Sequence, residues 1–267
     1  MAPHHQDHDN DRPSKRAKVM DTTGAAENTM AATTVSSTAA LFQLARGHLD
    51  AQWNQREAVI KQSREITRES KKLIVMLQRH DPKVAFAESE MATFPAAKAK
   101  VLQMLSKLAA QFKSRQEFHR YSSNVKHCIQ EFLEAVAFHY FLEFRRMIPF
   151  DDARLLLESL GLQLMPQDYI MGISDVSGEV MRFATNAATK GNTQWVEASR
   201  TYLQDFYHAC LSLDASFNEN DMNRKIDTTR ESVLKVERLA YDLAIRQSEQ
   251  KLFRKDLDVV MQESTAQ

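Results

Sequence analysis

The stretch that decides the fold is Cys128-Ile-Gln-Glu-Phe-Leu-Glu-Ala-Val-Ala-Phe-His-Tyr-Phe-Leu-Glu-Phe-Arg-Arg146. It contains neither Gly nor Pro, and it is long enough for about five helical turns. When the stretch is placed on a helix, apolar residues lie on opposite sides of it. An amphipathic surface helix keeps one polar half, and this one hardly does. The pattern therefore predicts a long helix that is largely buried.

Two acidic residues interrupt this apolar helix. Glu131 and Glu134 are three residues apart, so they share one face, together with Phe138 and Leu142. Neighbouring carboxylates in a poorly solvated place repel each other and lose hydration. We therefore expect something to compensate them, and a proton, a cationic partner and a metal ion are all open at this point.

The composition favours an all-α protein. The 267 residues include only six Gly and six Pro, and turns and hairpins consume both. With 43% hydrophobic residues the chain can form a real core, in one large domain or two small ones. Lys and Arg balance Asp and Glu at 35 each, so net charge alone predicts no nucleic-acid partner, although a local basic patch can still exist.

The chain divides by composition into a tail, a helical domain and a second tail. Residues 1–37 are low-complexity and are expected to be disordered, residues 38–250 form the helical domain, and residues 251–267 are a charged tail. The basic run Pro13–Val19 is either a nuclear import signal or a set of solvated charges. We see no signal peptide and no apolar run of about 18 residues that could span a membrane. Two cysteines in apolar helical patterns fit reduced core residues of an intracellular protein.

Periodicity and breakers predict the helices. The first runs from about residue 38 to 79, with Gly47 as a candidate break. A second begins at Pro95, and Ser122–Asn124 is expected to be a linker that caps the central helix. Further helices are expected over 151–160, 166–186, 194–213 and 222–247.

The first of these helices carries interleaved cations. Four of them, Arg64, Arg68, Lys71 and Lys72, lie among glutamates at helical spacing. Such charges most often form a solvated face of intrahelical ion pairs. They can instead line a phosphate-binding surface, and both interpretations stay open.

The helix that begins at Pro166 carries a second acidic pair. Asp175 and Glu179 lie four residues apart on a narrow polar stripe, and Arg182 follows on the same stripe. Gly172 and Gly178 each cost about 1 kcal/mol inside a helix relative to Ala. Glycines at such positions usually mark the close approach of another backbone or a ligand.

If the two acidic faces meet, three or four carboxylates converge. Oxygen ligands at this density suit Mg²⁺ or Mn²⁺ rather than zinc. A hard divalent ion held there can activate water and neutralise charge on a phosphodiester. Arg182 can either pair with Glu179 or hold a phosphate oxygen. Acidic pairs at this spacing are also common on solvated helices, so the spacing alone does not establish a catalytic site.

Four runs of sequence carry a resemblance to a known family. Together they extend over about residues 41–246, and as a set they resemble the signatures of the translin family. The four runs are Lys61–Ile74, Glu134–Phe141, Asp168–Arg182 and Lys235–Arg246. Of the two branches of the family, the chain resembles the translin-associated factor X (Trax) branch, because translin itself lacks the acidic pair on the central helix.

The resemblance implies a fold, a partner and an activity. It implies a single bundle of about seven helices that assembles with translin into a hollow hetero-octamer, and a Mg²⁺-dependent endoribonuclease that cleaves single-stranded RNA. The expected substrates are the passenger strand in RNA silencing or precursor-tRNA fragments, with single-stranded DNA as a further ligand, in the cytoplasm and the nucleus. The implied acidic site falls on Glu131, Glu134 and Asp175, with Glu179 close by.

Roles follow for the remaining candidates. Glu179 is expected to be a fourth ligand or to orient the others, and Mn²⁺ to be able to replace Mg²⁺. Arg182 and the cations Arg64, Arg68, Lys71 and Lys72 are the expected RNA contacts. The alternative is a non-catalytic assembly subunit that stabilises translin and supports nucleic-acid binding, in which the same carboxylates would be engaged in salt bridges.

Overall fold

The computed structural model describes residues 23–81, 93–213 and 220–265, and within these ranges it contains seven α-helices and no strand. The all-α prediction is therefore confirmed. In chain order the helices are α1 (Thr23–Gln78), α2 (Phe94–Ala109), α3 (Arg115–Phe144), α4 (Phe150–Ser159), α5 (Pro166–Thr189), α6 (Thr193–Leu211) and α7 (Asn220–Thr265).

The chain divides into two compact units, Met1–Asn54 and Gln55–Gln267. The second unit contains the C-terminal part of α1 and helices α2–α7, and every residue of the candidate site belongs to it. The predicted tails overlap the ends of α1 and α7, because α1 already begins at Thr23 and α7 continues to Thr265. The basic run Pro13–Val19 lies outside the described residues, so the import signal stays a prediction.

The core of the second unit is built around α3. This helix packs along α5, and both α5 and α6 pack against α7. Phe138 and Phe141 of α3 are fully buried and meet Phe183 of α5 edge to face. Trp195 and Tyr202 of α6 complete this aromatic cluster, with ring centroids 6.0 and 4.9 Å from that of Phe141. The prediction that the central helix is largely buried is confirmed.

Polar contacts join α1 to this core. Its buried residues in the second unit recur at helical spacing, and they include Val59, Ile66, Leu73 and Leu77. Gln62 Nε2 donates to the carbonyl of Met104 in α2 at 3.0 Å. Gln55 Nε2 donates to Glu117 of α3 at 2.7 Å. These contacts place one face of α1 against α2 and α3.

The boundary between α2 and α3 differs from the prediction. We expected one helix from Pro95 to Tyr121 and a linker at Ser122–Asn124, but α2 ends at Ala109 and α3 begins at Arg115. Ser114 caps α3, since its side chain accepts a hydrogen bond from the backbone N–H of Glu117. Ser122–Asn124 lies inside α3, where the hydroxyl of Ser122 donates to a carbonyl one turn earlier. The helix therefore begins at a cap two turns upstream of the polar residues Ser122–Asn124.

Other breaks follow the sequence more closely. The helix α5 begins at Pro166, as predicted, and Asn192 after the Gly191 turn caps α6 by accepting from the backbone N–H of Trp195. The candidate break at Gly47 is absent, because α1 is continuous there. A glycine that costs about 1 kcal/mol does not interrupt a helix whose hydrogen bonds continue on both sides.

Within the described ranges, no helix has the length and apolar character needed to cross a membrane.

Candidate active site

The site lies where α3 crosses α5, and a glycine sets the distance between the two helices. A Cβ atom built on Gly172 of α5 would lie 3.1 Å from the carbonyl oxygen of Gln130 and 3.1 Å from Cβ of Leu133, both in α3. The close approach that we predicted for Gly172 is therefore confirmed. At Gly178 an added Cβ would meet no atom of the described residues within 4 Å, so no backbone of this part of the chain comes close there, and the approach of a ligand stays a prediction.

Glu134 is the most deeply buried of the four acidic candidates. It is 9% exposed, in the middle of the apolar run of α3. Burial raises the pKa of its carboxyl to about 8, and the negative charges of Asp175, Glu131 and Glu179 add to this effect. The structure thus brings the four carboxyl groups of α3 and α5 within electrostatic range of one another, which is the condition that the sequence left open.

Glu134 differs from the other three in lacking a partner. Among the described residues, none forms a hydrogen bond or an ion pair with its carboxyl group. A buried carboxyl group without a partner is costly when it is ionised, so in this state it holds a proton at neutral pH.

Glu131 lies one turn before Glu134 and is more accessible. Its side chain is 19% exposed, and its Oε2 atom lies 3.7 Å from Nζ of Lys71 in α1. Burial raises the pKa of Glu131, whereas the ammonium of Lys71 opposes that shift. Lys71 was predicted to contact RNA, and here it neutralises an acidic residue of the site.

Asp175 of α5 is held by a lysine of α7. The Nζ atom of Lys225 donates to Oδ1 of Asp175 at 2.5 Å and to the carbonyl oxygen of Met171 at 2.9 Å. Asp175 is 46% exposed, whereas the side chain of Lys225 is only 21% exposed. Our sequence analysis missed Lys225, because it lies 50 residues further along the chain and no local pattern distinguishes it from other lysines.

Glu179 is fixed by two neighbours. Gln78 Nε2, at the C-terminal end of α1, donates to the backbone carbonyl of Glu179 at 2.8 Å and to its Oε2 atom at 2.7 Å. Arg182 lies 3.4 Å from the same carboxylate. Of the two roles open to Arg182, pairing with Glu179 is the one that the structure contains. Gln78 was also missed, since it is 101 residues away in sequence.

The donor chemistry of this cluster fits a hard divalent ion. All four candidates offer carboxylate oxygens. The pKa of Glu134 is raised by burial and then by the negative charges of its three neighbours, and a bound cation would offset both effects. The arrangement in the described part of the chain is nevertheless an ion-paired one, in which no three of the His, Cys, Asp and Glu side chains are placed to hold a metal ion. Binding of an ion therefore requires these side chains to move.

The predicted RNA contacts on α1 are mostly engaged with acidic residues. Arg68 lies 2.5 Å from Glu65, and Lys72 lies 2.6 Å from the buried carboxylate of Glu69. Arg64 is exposed and forms no ion pair within the described ranges. The solvated-face interpretation thus applies to much of this stripe, and RNA contact by these residues stays a prediction.

Together, a helical bundle and a cluster of carboxylates at a helix crossing define an all-α protein with a candidate cation site. The sequence model of the translin family matches residues 54–247, so the chain belongs to the translin family. This match includes all residues of the four runs that carried the resemblance, and it ends one residue after the last of them.

Individual relatives agree with this assignment. Translin-associated protein X of Mus musculus is 28% identical over 235 residues, which cover 78% of this chain and 79% of that protein. The Translin-associated protein X homolog of Schizosaccharomyces pombe is 24% identical over 219 residues, covering 80% of this chain and 91% of that protein. The predicted resemblance to the Trax branch is therefore confirmed.

A solved structure shares the fold. The AfC3PO chain in its complex with duplex RNA superposes with a TM-score of 0.57 at 18% identity, over 77% of this chain and 97% of that chain. At this identity the similarity supports the fold of the bundle.

Proposed function

We propose that this chain is the catalytic subunit of an endoribonuclease that it forms with translin, and that it cleaves single-stranded RNA with Mg²⁺. The observation that carries the proposal is the burial of Glu134, with no partner in the described part of the chain, beside Glu131, Asp175 and Glu179 at one helix crossing. A core that serves packing alone has no use for four carboxyl groups at one place.

The acidic residues and Arg182 have different roles in this proposal. Glu131, Glu134 and Asp175 would hold Mg²⁺, for which Mn²⁺ can substitute, and Glu179 would be a fourth ligand or orient the others. The bound ion would supply an activated water and neutralise charge on the phosphodiester. Arg182 is 63% exposed next to Glu179, so its guanidinium can turn from that carboxylate to a backbone phosphate of the RNA.

The partner and the substrate come from the family resemblance. The similarity to proteins named translin-associated protein X supports assembly with translin, for which we propose a hetero-octamer. The RNA complex of the related fold supports RNA as the ligand. We propose single-stranded RNA, as the passenger strand in RNA silencing or as precursor-tRNA fragments, with single-stranded DNA as a further ligand.

The test is cleavage by the reconstituted complex. We expect Glu134→Gln to lower the rate of cleavage of single-stranded RNA in Mg²⁺ by at least about 100-fold, with Glu131→Gln and Asp175→Asn close behind. Glu143→Gln is the matched control, because Glu143 is on the same helix, is 47% exposed and lies outside the cluster. Cleavage by Glu134→Gln at the rate of the parent would refute the proposal.

A second candidate function is a non-catalytic assembly subunit. It is favoured by the ion pairs, since Lys71, Lys225 and Arg182 lie 3.7, 2.5 and 3.4 Å from three of the four carboxylates. Calorimetry separates the two functions. If the complex assembles and binds RNA, but Glu131→Gln abolishes no Mn²⁺ binding, the chain is a non-catalytic assembly subunit.

A further inference from the structure

Three cations from three different helices neutralise three of the four carboxylates. Lys71 belongs to α1, Arg182 to α5 and Lys225 to α7. Lys71 and Arg182 are both 63% exposed, so water and salt screen their charges and their side chains can leave at low cost. Lys225 is different, because most of its side chain is covered by protein.

Lys225 is also held more firmly than the other two. Its ammonium donates to the carbonyl oxygen of Met171 as well as to Asp175, so a backbone atom of α5 fixes its position. In addition, the methylene stem of a lysine packs well against apolar surface when only the ammonium needs polar partners. The charge of Lys225 also reaches a second carboxyl group of the cluster, since it opposes the rise in the pKa of Glu134 that burial causes.

We infer that Lys225 is an internal competitor for the divalent cation, and that its ammonium holds Asp175 in the metal-free protein and has to release it before a metal ion can bind. This inference rests on the proposed function, because it concerns the same acidic cluster. It agrees with the described carboxylates showing no ready-made set of three ligands that includes Asp175, although they lie within electrostatic range of one another.

The physical reason is competition between like charges. An ammonium and a divalent ion beside the same carboxylate repel each other, and the repulsion is stronger where the site is partly shielded from water. Removing the ammonium therefore lowers the free energy of the metal complex relative to the metal-free protein. The metal-free protein loses an ion pair at the same time, which raises the energy of the state that competes with binding.

The experiment measures Mn²⁺ affinity by calorimetry on the full-length chain in complex with translin. We expect Lys225→Gln to bind Mn²⁺ at least about fivefold more tightly than the parent. Lys71→Gln should have a smaller effect, because its ammonium is exposed. Lys235→Gln is the matched control, since Lys235 is an exposed residue of α7 that contacts none of the four carboxylates, and its affinity should equal that of the parent.

A second measurement does not depend on metal. In EDTA, Lys225→Gln should melt at a lower temperature than Lys235→Gln, and saturating Mn²⁺ should raise its melting temperature by more than it raises that of the parent. Lys225→Arg keeps the charge, so it should bind Mn²⁺ about as the parent does. These results would follow from competition and not from a general loss of folding.

The outcomes separate this inference from the proposed function. Equal or weaker Mn²⁺ binding by Lys225→Gln, with binding by the parent intact, overturns the competition and leaves the nuclease proposal in place. Binding by Lys225→Gln but not by the parent supports the competition. If neither protein binds Mn²⁺, the nuclease proposal fails and this inference fails with it.

Discussion

Among the single residues of the site, Glu134 has the clearest effect on the stability of the protein. The residue is 9% exposed, and its carboxyl group has no partner among the described residues and lies near three other carboxyl groups. In the metal-free protein it therefore binds a proton that an exposed glutamate would have lost. The stability of the protein depends on pH through this proton.

The first prediction concerns the pH dependence of that stability. The pKa of Glu134 is about 8 in the folded chain, whereas a glutamate in the unfolded chain titrates near 4.3. Between these values the folded chain binds more protons, so the free energy of unfolding in EDTA falls as the pH rises. Glu134→Gln removes this loss. Its free energy of unfolding, relative to that of the parent, should therefore rise by about 1–3 kcal/mol between pH 5 and pH 8.

Urea unfolding in EDTA at a series of pH values measures this advantage. Glu143→Gln is again the control, because its stability should run parallel to that of the parent over the same range. A difference between Glu134→Gln and the parent that stays constant with pH would show that Glu134 is already ionised in the folded chain.

At the scale of the elements, the crossing of α3 and α5 decides whether the acidic faces meet. Gly172 lets the backbone of α5 come against Gln130, one turn before Glu134, and against Leu133, the residue directly before it. The contacting atoms are a backbone carbonyl and a Cβ, which cannot turn away as the end of a long side chain can. The spacing of the two helices is therefore sensitive to one methyl group.

The second prediction compares two glycines of the same helix. Gly172→Ala should lower the free energy of unfolding by about 1–3 kcal/mol, since the new methyl forces α3 and α5 apart. Gly178→Ala meets open space and should raise it by up to about 1 kcal/mol, because alanine is the better helix former. Chemical denaturation measures the free energy of unfolding of both variants. Equal changes in the two variants would contradict the close approach at Gly172.

At the scale of the whole molecule, α7 leaves an apolar stripe uncovered. Leu234, Tyr241, Ile245 and Leu252 recur at spacings of seven, four and seven, so they share one side of the helix, and each is between 43% and 67% exposed. Exposed apolar surface of this length promotes association. The stripe agrees with a chain that functions in an assembly.

The third prediction concerns the isolated chain. At micromolar concentration we expect it to form oligomers or aggregates through this stripe, and Leu234→Lys combined with Tyr241→Lys should shift it toward the monomer. Light scattering coupled to size exclusion measures the mass. Lysines at Gln247 and Gln250, exposed residues on the other side of α7, are the control for added charge. A monodisperse monomer of the parent chain would contradict the prediction.

The sequence by itself determined the helical class, the burial of the central helix and the placement of each acidic pair on one face of its helix. These features are local, since the 3.6-residue period places apolar and acidic residues on definite faces. That the two acidic faces meet was decided by the packing of α3 against α5 at Gly172. The start of α3 differs from the prediction, because Ser114 and not the polar run Ser122–Asn124 caps the helix.

Only the tertiary structure decided which cations neutralise the carboxylates. Lys225 and Gln78 reach the site from positions 50 and 101 residues away from their partners, and periodicity carries no information about such pairs. Lys71 likewise bonds across helices where we expected a free cation for RNA. The physical reason is that a long flexible side chain pairs with whatever charge the packed helices bring within its reach, and that is defined only once the bundle has formed.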